Sequence, residues 1–207
     1  MIDPHLFLLF MAGVIALNLA PGPDMAFVLA QSASGGARRG VAAALGIGAG
    51  TLFHMSVAAF GLTALFAAWP MAFDIIRYAG AAYLLWIAIG MIRHPPHLRA
   101  AQREASAWSA FRRGVLTNVM NPKVAMFFIA FLPQFVSRHT GPAWAQILIL
   151  GVAFDTSGTL VNCLVAFGGG RLAERMKQNP AMGRFMGWFS GGVMGALALR
   201  LAWPSQR

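Results

Sequence analysis

Charge is scarce in this chain. Only 11% of its 207 residues are Asp, Glu, Lys or Arg, while 58% are hydrophobic. A soluble domain carries roughly 25% charged residues. The deficit excludes a water-soluble globule: most of the chain meets lipid or other apolar helices. Cysteine is nearly absent, with Cys163 alone, which excludes an intramolecular disulfide and paired-thiol chemistry. Histidines are few, and His94 and His97 flank a Pro–Pro pair without carboxylate or cysteine company. That makes a poor metal site, so no metal ligand is expected. No cofactor motif stands out either. GIGAG at 46–50 has no preceding strand and lies within an apolar run, so it is not a nucleotide fingerprint. Ser190 has no histidine placed to activate it, and an enzyme is not expected.

The first apolar run has no Lys or Arg before it, and PGPD follows it in place of a small-residue cleavage site. It reads as a membrane span and not as a signal peptide. The net charge of +10 does not point to nucleic acid, because the basic residues cluster between apolar runs, where cytoplasmic positive charge belongs.

What is present is a set of apolar runs, at roughly 5–30, 40–68, 71–92, 111–135, 143–169 and 182–203. Spans of about 20 residues fill the chain with six crossings and short connections. The fold class expected is therefore an all-α integral membrane protein of six transmembrane helices. The six tryptophans lie mostly near span ends, as interface anchors do. Eleven Lys and Arg residues fall in the first, third and fifth loops, against three on the opposite side. This bias puts those loops in the cytoplasm and both termini outside.

Two of the runs are broken by proline. NLAPGPD occupies 18–24 and NVMNPK occupies 118–123. Proline lacks the amide hydrogen and clashes with the preceding turn, so each run is helix, break, helix. Each break lies in the first span of its half. Three spans is an odd number, so a second copy of a three-span unit emerges inverted. The expected organisation is a 3+3 inverted repeat with broken helices 1 and 4: residues 1–92, a basic cytoplasmic linker at 93–110, and residues 111–207. Paired breaks of this kind mark a transporter's binding site.

Polar residues inside spans are costly and are functional candidates by default. Asp24 follows the first break, where it can cap a half-helix or face a pathway. Lys123 follows the second, near the midplane, and needs a counter-charge. Asp24 is the first candidate for that role and Asp155 the second. Asp155 could also relay a proton. Asn18, Asn118 and Asn121 can repair backbone bonds that proline removes, or contact substrate. His54 could titrate, or bond as a neutral ring to a neighbouring helix. Asp74 and Arg77 read as interfacial residues that snorkel. Gly46 and Gly50, and also Gly187, Gly191 and Gly195, form small-xxx-small series for close helix packing. The last series suits packing within one protomer or a homodimer.

These residues carry a resemblance. NLAPGPDMAFVLAQSASGGARRGVAAALGIGAGTLFH, GAAYLLWIAIGMIR and FRRGVLTNVMNPKVAMFFIAFLPQFV resemble the LysE/RhtB family of bacterial amino-acid exporters. The resemblance covers the first four spans. It implies efflux of amino acids or their derivatives across the bacterial inner membrane, driven by the proton motive force. It also implies that Pro21, Gly22, Pro23, Asp24, Asn121, Pro122 and Lys123 matter. The expected partners are thus an amino acid, protons and the lipid bilayer. A metal-ion exporter or a channel-like pore is the alternative.

Overall fold

A computed structural model describes residues 2, 4–69, 71–94, 106–137 and 140–203, with backbone alone at 67, 169–178 and 180. Most of the expected linker, including His97, Arg99 and Arg103, lies outside the described residues, as do Arg138 and Arg207. Among the described residues every regular element is helical. The order is α1 (Pro4–Leu19), α2 (Pro23–Ser56), α3 (Thr63–Ala68), α4 (Ala72–Arg93), α5 (Ala107–Val119), α6 (Pro122–Met126), α7 (Ala143–Gln178) and α8 (Pro180–Ala202). A π-helical stretch, Val57–Leu62, joins α2 to α3. A second, Phe127–Phe131, prolongs α6 into a 3-10 turn at Leu132–Phe135.

Both proline motifs break a helix. α1 stops at Leu19, Ala20 to Gly22 are non-helical, and α2 starts with Pro23 in its first turn. Likewise α5 stops at Val119, and α6 starts at Pro122 with Asn121 as its N-cap. The axis bends by 47° across this second break. Proline suits a first helical turn because its missing N–H is one of the unpaired ones there anyway.

Four helices are long and apolar enough to cross a bilayer: Pro23–Phe66, Ala72–Arg93, Ala143–Gly168 and Ala181–Ala202. The bent pair Ala107–Val119 and Pro122–Phe135 is long and apolar enough only when its two helices are taken together. The 16 residues of α1 are too few to cross alone. At 44 residues, Pro23–Phe66 would be about 66 Å long if straight, twice a hydrocarbon core. It is not straight. Gly36 sits at φ 76°, ψ 176°, a backbone region that residues with a Cβ rarely enter. A Cβ on Gly40 would lie 1.8 Å from Ser32 Oγ, whereas eight helical residues span about 12 Å. The chain therefore doubles back at Gly36.

The interior and exterior are inverted relative to a soluble protein. Leu164, Phe167, Phe185 and Leu199 are 64–72% exposed, while Gln31, Thr51, His54, Asn118, Asn121, Lys123 and Ser190 are buried. All six tryptophans face outward. Such a surface is stable only in lipid, and the chain is a multi-pass membrane protein.

Glycine sets the closest helix approach. A Cβ on Gly46 would lie 2.0 Å from Phe111 O, and one on Gly50 would lie 2.8 Å from Asn118 Cβ and Val115 O. From the other side, a Cβ on Gly114 would lie 2.5 Å from Ala43 O. The returning arm of α2 and helix α5 thus touch backbone to backbone. The last glycine series is not one stripe. Gly187 is buried, Gly191 packs on Ala88 and Ile92 of α4, and Gly195 faces open space.

Two expectations need correcting. Arg77 does not snorkel: it is 6% exposed. Its guanidinium donates to Leu201 O at 2.7 Å, to Ala202 O at 3.2 Å and to Trp203 O. Those carbonyls lie at the end of α8, where the helix supplies no further donors, and the planar five-donor guanidinium suits them. The fifth loop is also shorter than the basic run 171–184 suggests. α7 stays helical to Gln178, and only Asn179 separates it from α8. Arg and Lys are good helix formers, and Asn179–Pro180 supplies the stop and the next start.

Candidate functional site

The two breaks face each other across one small buried pocket. Its walls include Asn18, Gly22, Asp24, Thr51, Asn118, Asn121, Lys123, Phe154, Asp155, Gly158, Thr159 and Asn162. The cavity measures about 40 Å³, room for one or a few waters. A larger ligand needs the walls to move.

Each break is repaired by the opposite half of the chain. Lys123 Nζ donates to Leu17 O at 2.8 Å and to Ala20 O at 2.7 Å. These carbonyls lie at the end of α1, where the dipole is negative; Leu17 O also accepts from Ala20 N at 3.2 Å, and Ala20 O lies past the last helical donor. Ser190 Oγ of α8 donates to Pro21 O at 3.0 Å. In the other direction, Asn118 Nδ2 at the end of α5 donates to Asp24 Oδ2 at 3.1 Å. Asn118 O accepts from His54 Nε2 at 3.0 Å, so that nitrogen carries a proton. Asn121 Oδ1 caps α6 by accepting from Lys123 N at 3.0 Å.

The direct partners of Lys123 are therefore carbonyls. Neither Asp24 nor Asp155 comes within 4.0 Å of its ammonium. Asp24 acts on it through space. Sequence reasoning looked for a carboxylate because burial of an ammonium demands compensation; two dipoles at a helix end provide much of it.

Two polar atoms in the pocket make no hydrogen bond within 3.5 Å, Asp24 Oδ1, an acceptor, and Asn121 Nδ2, a donor, although their side chains lie close enough to interact with each other. Buried groups of this kind are uncommon, and each calls for an explanation. Asn18 Nδ2 donates to Ser157 Oγ at 3.0 Å and thereby ties α1 to α7. Asp155 faces the pocket from α7, with Thr159 Oγ1 at 3.5 Å from Oδ1. His54 does not line the pocket; it braces α5 and stacks on Phe128. Pro21, Pro23 and Pro122 shape the backbone without lining the cavity.

Several wall residues escaped sequence reasoning. Thr51 Oγ1 lies 3.2 Å from Ile47 O and 3.4 Å from Asn118 Oδ1. Gly158, Thr159 and Asn162 line the cavity together with Asp155, which the sequence itself singles out. They fall at i, i+3, i+4 and i+7, one face of α7. That polar stripe within an apolar helix was a signal available in the sequence. Among the described residues no three His, Cys, Asp or Glu side chains gather as metal ligands do.

A multi-pass membrane protein whose two broken helices enclose a polar pocket has the anatomy of a membrane translocator. Residues 15–205 match the LysE type translocator family, and the chain belongs to it. It is 36% identical over 190 residues to an uncharacterized membrane protein of Pseudomonas aeruginosa, covering 87% of this chain and 88% of that one. It is 34% identical over 162 residues to a homoserine/homoserine lactone efflux protein of Salmonella typhimurium, covering 77% and 76%. With a leucine efflux protein of Klebsiella pneumoniae the identity is 27% over 199 residues, covering 95% and 94%. No solved structure matches.

Proposed function

We propose that this protein exports amino acids or their derivatives from the cytoplasm across the bacterial inner membrane. The observation that carries this reading is the polar centre between the two breaks, where the Asp24 carboxylate and the Asn121 amide lie within interacting range of each other but make no hydrogen bond within 3.5 Å. An amino acid is a zwitterion. Its ammonium suits the Asp24 carboxylate. Its carboxylate suits the Asn121 amide, the nearby N-terminal end of α6 and the remaining proton of Lys123. Relatives named for efflux of leucine and of homoserine support the same substrate class.

Transport proceeds by alternating access between two three-span units of opposite orientation. Cutting the chain at Gly36 makes α1 and the first arm of α2 one broken span, in the manner of α5 and α6. The cross-bracing supports this pairing: the residue after each proline, Asp24 or Lys123, meets the end of the other half's first helix. One side of the pocket is packed with aromatic rings, Phe154 stacking on Phe127 at 4.5 Å and meeting Phe128 at 5.2 Å. The other side meets, at Ile47, a small-residue cluster of Ala43, Ala44, Ile47, Ala110 and Ala166. The charge bias makes the small-residue side cytoplasmic. Protons drive the cycle, Asp24 and Asp155 being the groups in the pocket that can exchange them.

The test uses cells loaded with a panel of amino acids, with and without the protein. Export should rise with the protein and collapse when an uncoupler is added. A protein that reaches the membrane yet leaves every amino acid's efflux unchanged overturns the reading. Efflux that survives the uncoupler removes the proton and leaves the exporter.

A further inference from the structure

The same pocket has a second polar wall, on α7, that the zwitterion does not use. We propose that Asp155 selects the substrate's side chain, and that the preferred amino acids carry a hydrogen-bond donor there, a hydroxyl or an ammonium. This rests on the reading of the pocket as an amino-acid site.

Asp155 is half-buried and lines the cavity. Its hydrogen bond is long: Thr159 Oγ1 is 3.5 Å from Oδ1. No hydrogen bond reaches Oδ2 among the described residues, although Thr51 lies close enough to interact with the carboxylate. Space is kept clear in front of it. A Cβ on Gly48 would lie 2.6 Å from Thr159 Oγ1 and 3.3 Å from Asp155 Oδ1. Thr159 and Asn162 continue the polar wall one turn along, while Ile47 and Phe154 supply apolar surface for a methylene stem.

A carboxylate oxygen inside a membrane protein must be solvated by something. An aliphatic side chain pressed against it would exclude water and offer no donor. A hydroxyl or ammonium would replace the water in kind. A site built to hydrogen-bond a substrate group rejects the analogue that lacks it far more strongly than an apolar pocket rejects a missing methylene.

Homoserine and norvaline are the diagnostic pair, since they differ only by hydroxyl against methyl. Purified full-length protein in liposomes would be assayed for counterflow of homoserine, norvaline, lysine and leucine. Homoserine and lysine should exceed norvaline and leucine in transport efficiency by about 10- to 100-fold, the range of a hydrogen bond to a charged group. Asp155→Leu should reverse the homoserine-to-norvaline ratio, and thermal unfolding in detergent shows whether the variant is folded. Asp155→Asn should keep homoserine, because its carbonyl still accepts, and lose lysine. If Asp155→Leu fails to fold, the lysine-to-homoserine ratio of Asp155→Asn decides. Equal transport of homoserine and norvaline by the parent protein, or ratios unmoved by either variant, overturns the proposal while leaving amino-acid export standing. Transport of none of the four overturns both.

Discussion

Lys123→Ala removes the ammonium that holds the first break together, and its effect can be worked from the contacts. Two carbonyls, Leu17 O and Ala20 O, lose donors at 2.8 and 2.7 Å. Lys123 is 9% exposed, so little water can replace it. Leaving Ala20 O unsatisfied costs about 1–3 kcal/mol, while Leu17 O keeps the Ala20 N–H at 3.2 Å and adds less. A lost through-space partner for Asp24 adds to this. Folded protein should be measured by thermal unfolding in detergent and by membrane abundance. The carbonyl partners also make a distinctive claim about Lys123→Ala combined with Asp24→Asn. Neutralising Asp24 should recover only the charge-to-charge part, leaving most of the loss in place. A loss below about 1 kcal/mol for Lys123→Ala, or full rescue in the double variant, would refute the carbonyl cap and restore a simple ion pair.

Replacing Pro21 and Pro23 with Ala should let α1 and α2 fuse, so that the protein reaches the membrane at normal abundance yet exports poorly. Normal efflux at equal abundance would show that the break is not part of the site. Gly46→Ala would place a methyl 2.0 Å from Phe111 O and should destabilise by about 1–3 kcal/mol in unfolding assays. Gly195→Ala meets nothing within 4 Å and should be neutral or stabilising by up to about 1 kcal/mol; the opposite ranking of the two would overturn the packing described. Reporter fusions at residue 100 and at the C-terminus should give cytoplasmic and external signals respectively. A cytoplasmic C-terminus would remove both the topology and the inverted repeat.

The sequence by itself determined the environment and the places where helices break. Hydropathy is a property of local composition, and lipid leaves helices as the way to satisfy the backbone in such runs. Proline acts within one turn, so NLAPGPD and NVMNPK were legible as breaks from the residues alone. Gly46 and Gly50 were legible as a close-packing pair, though their partner α5 was not. Only the tertiary structure decided who meets whom. Lys123 lies on the end of α1 and not against a carboxylate, because the second break packs beside the first. Ser190, 169 residues from Pro21, becomes the donor that completes the same break. Arg77 leaves the interface for the carbonyls at the end of α8. Gly191 packs against α4 while Gly195 does not, although four residues separate them on one helix. Local rules act through the chain's own few dihedrals, whereas these pairings depend on which helices cross, at what depth and in what rotation. Those quantities are settled by packing the whole bundle at once.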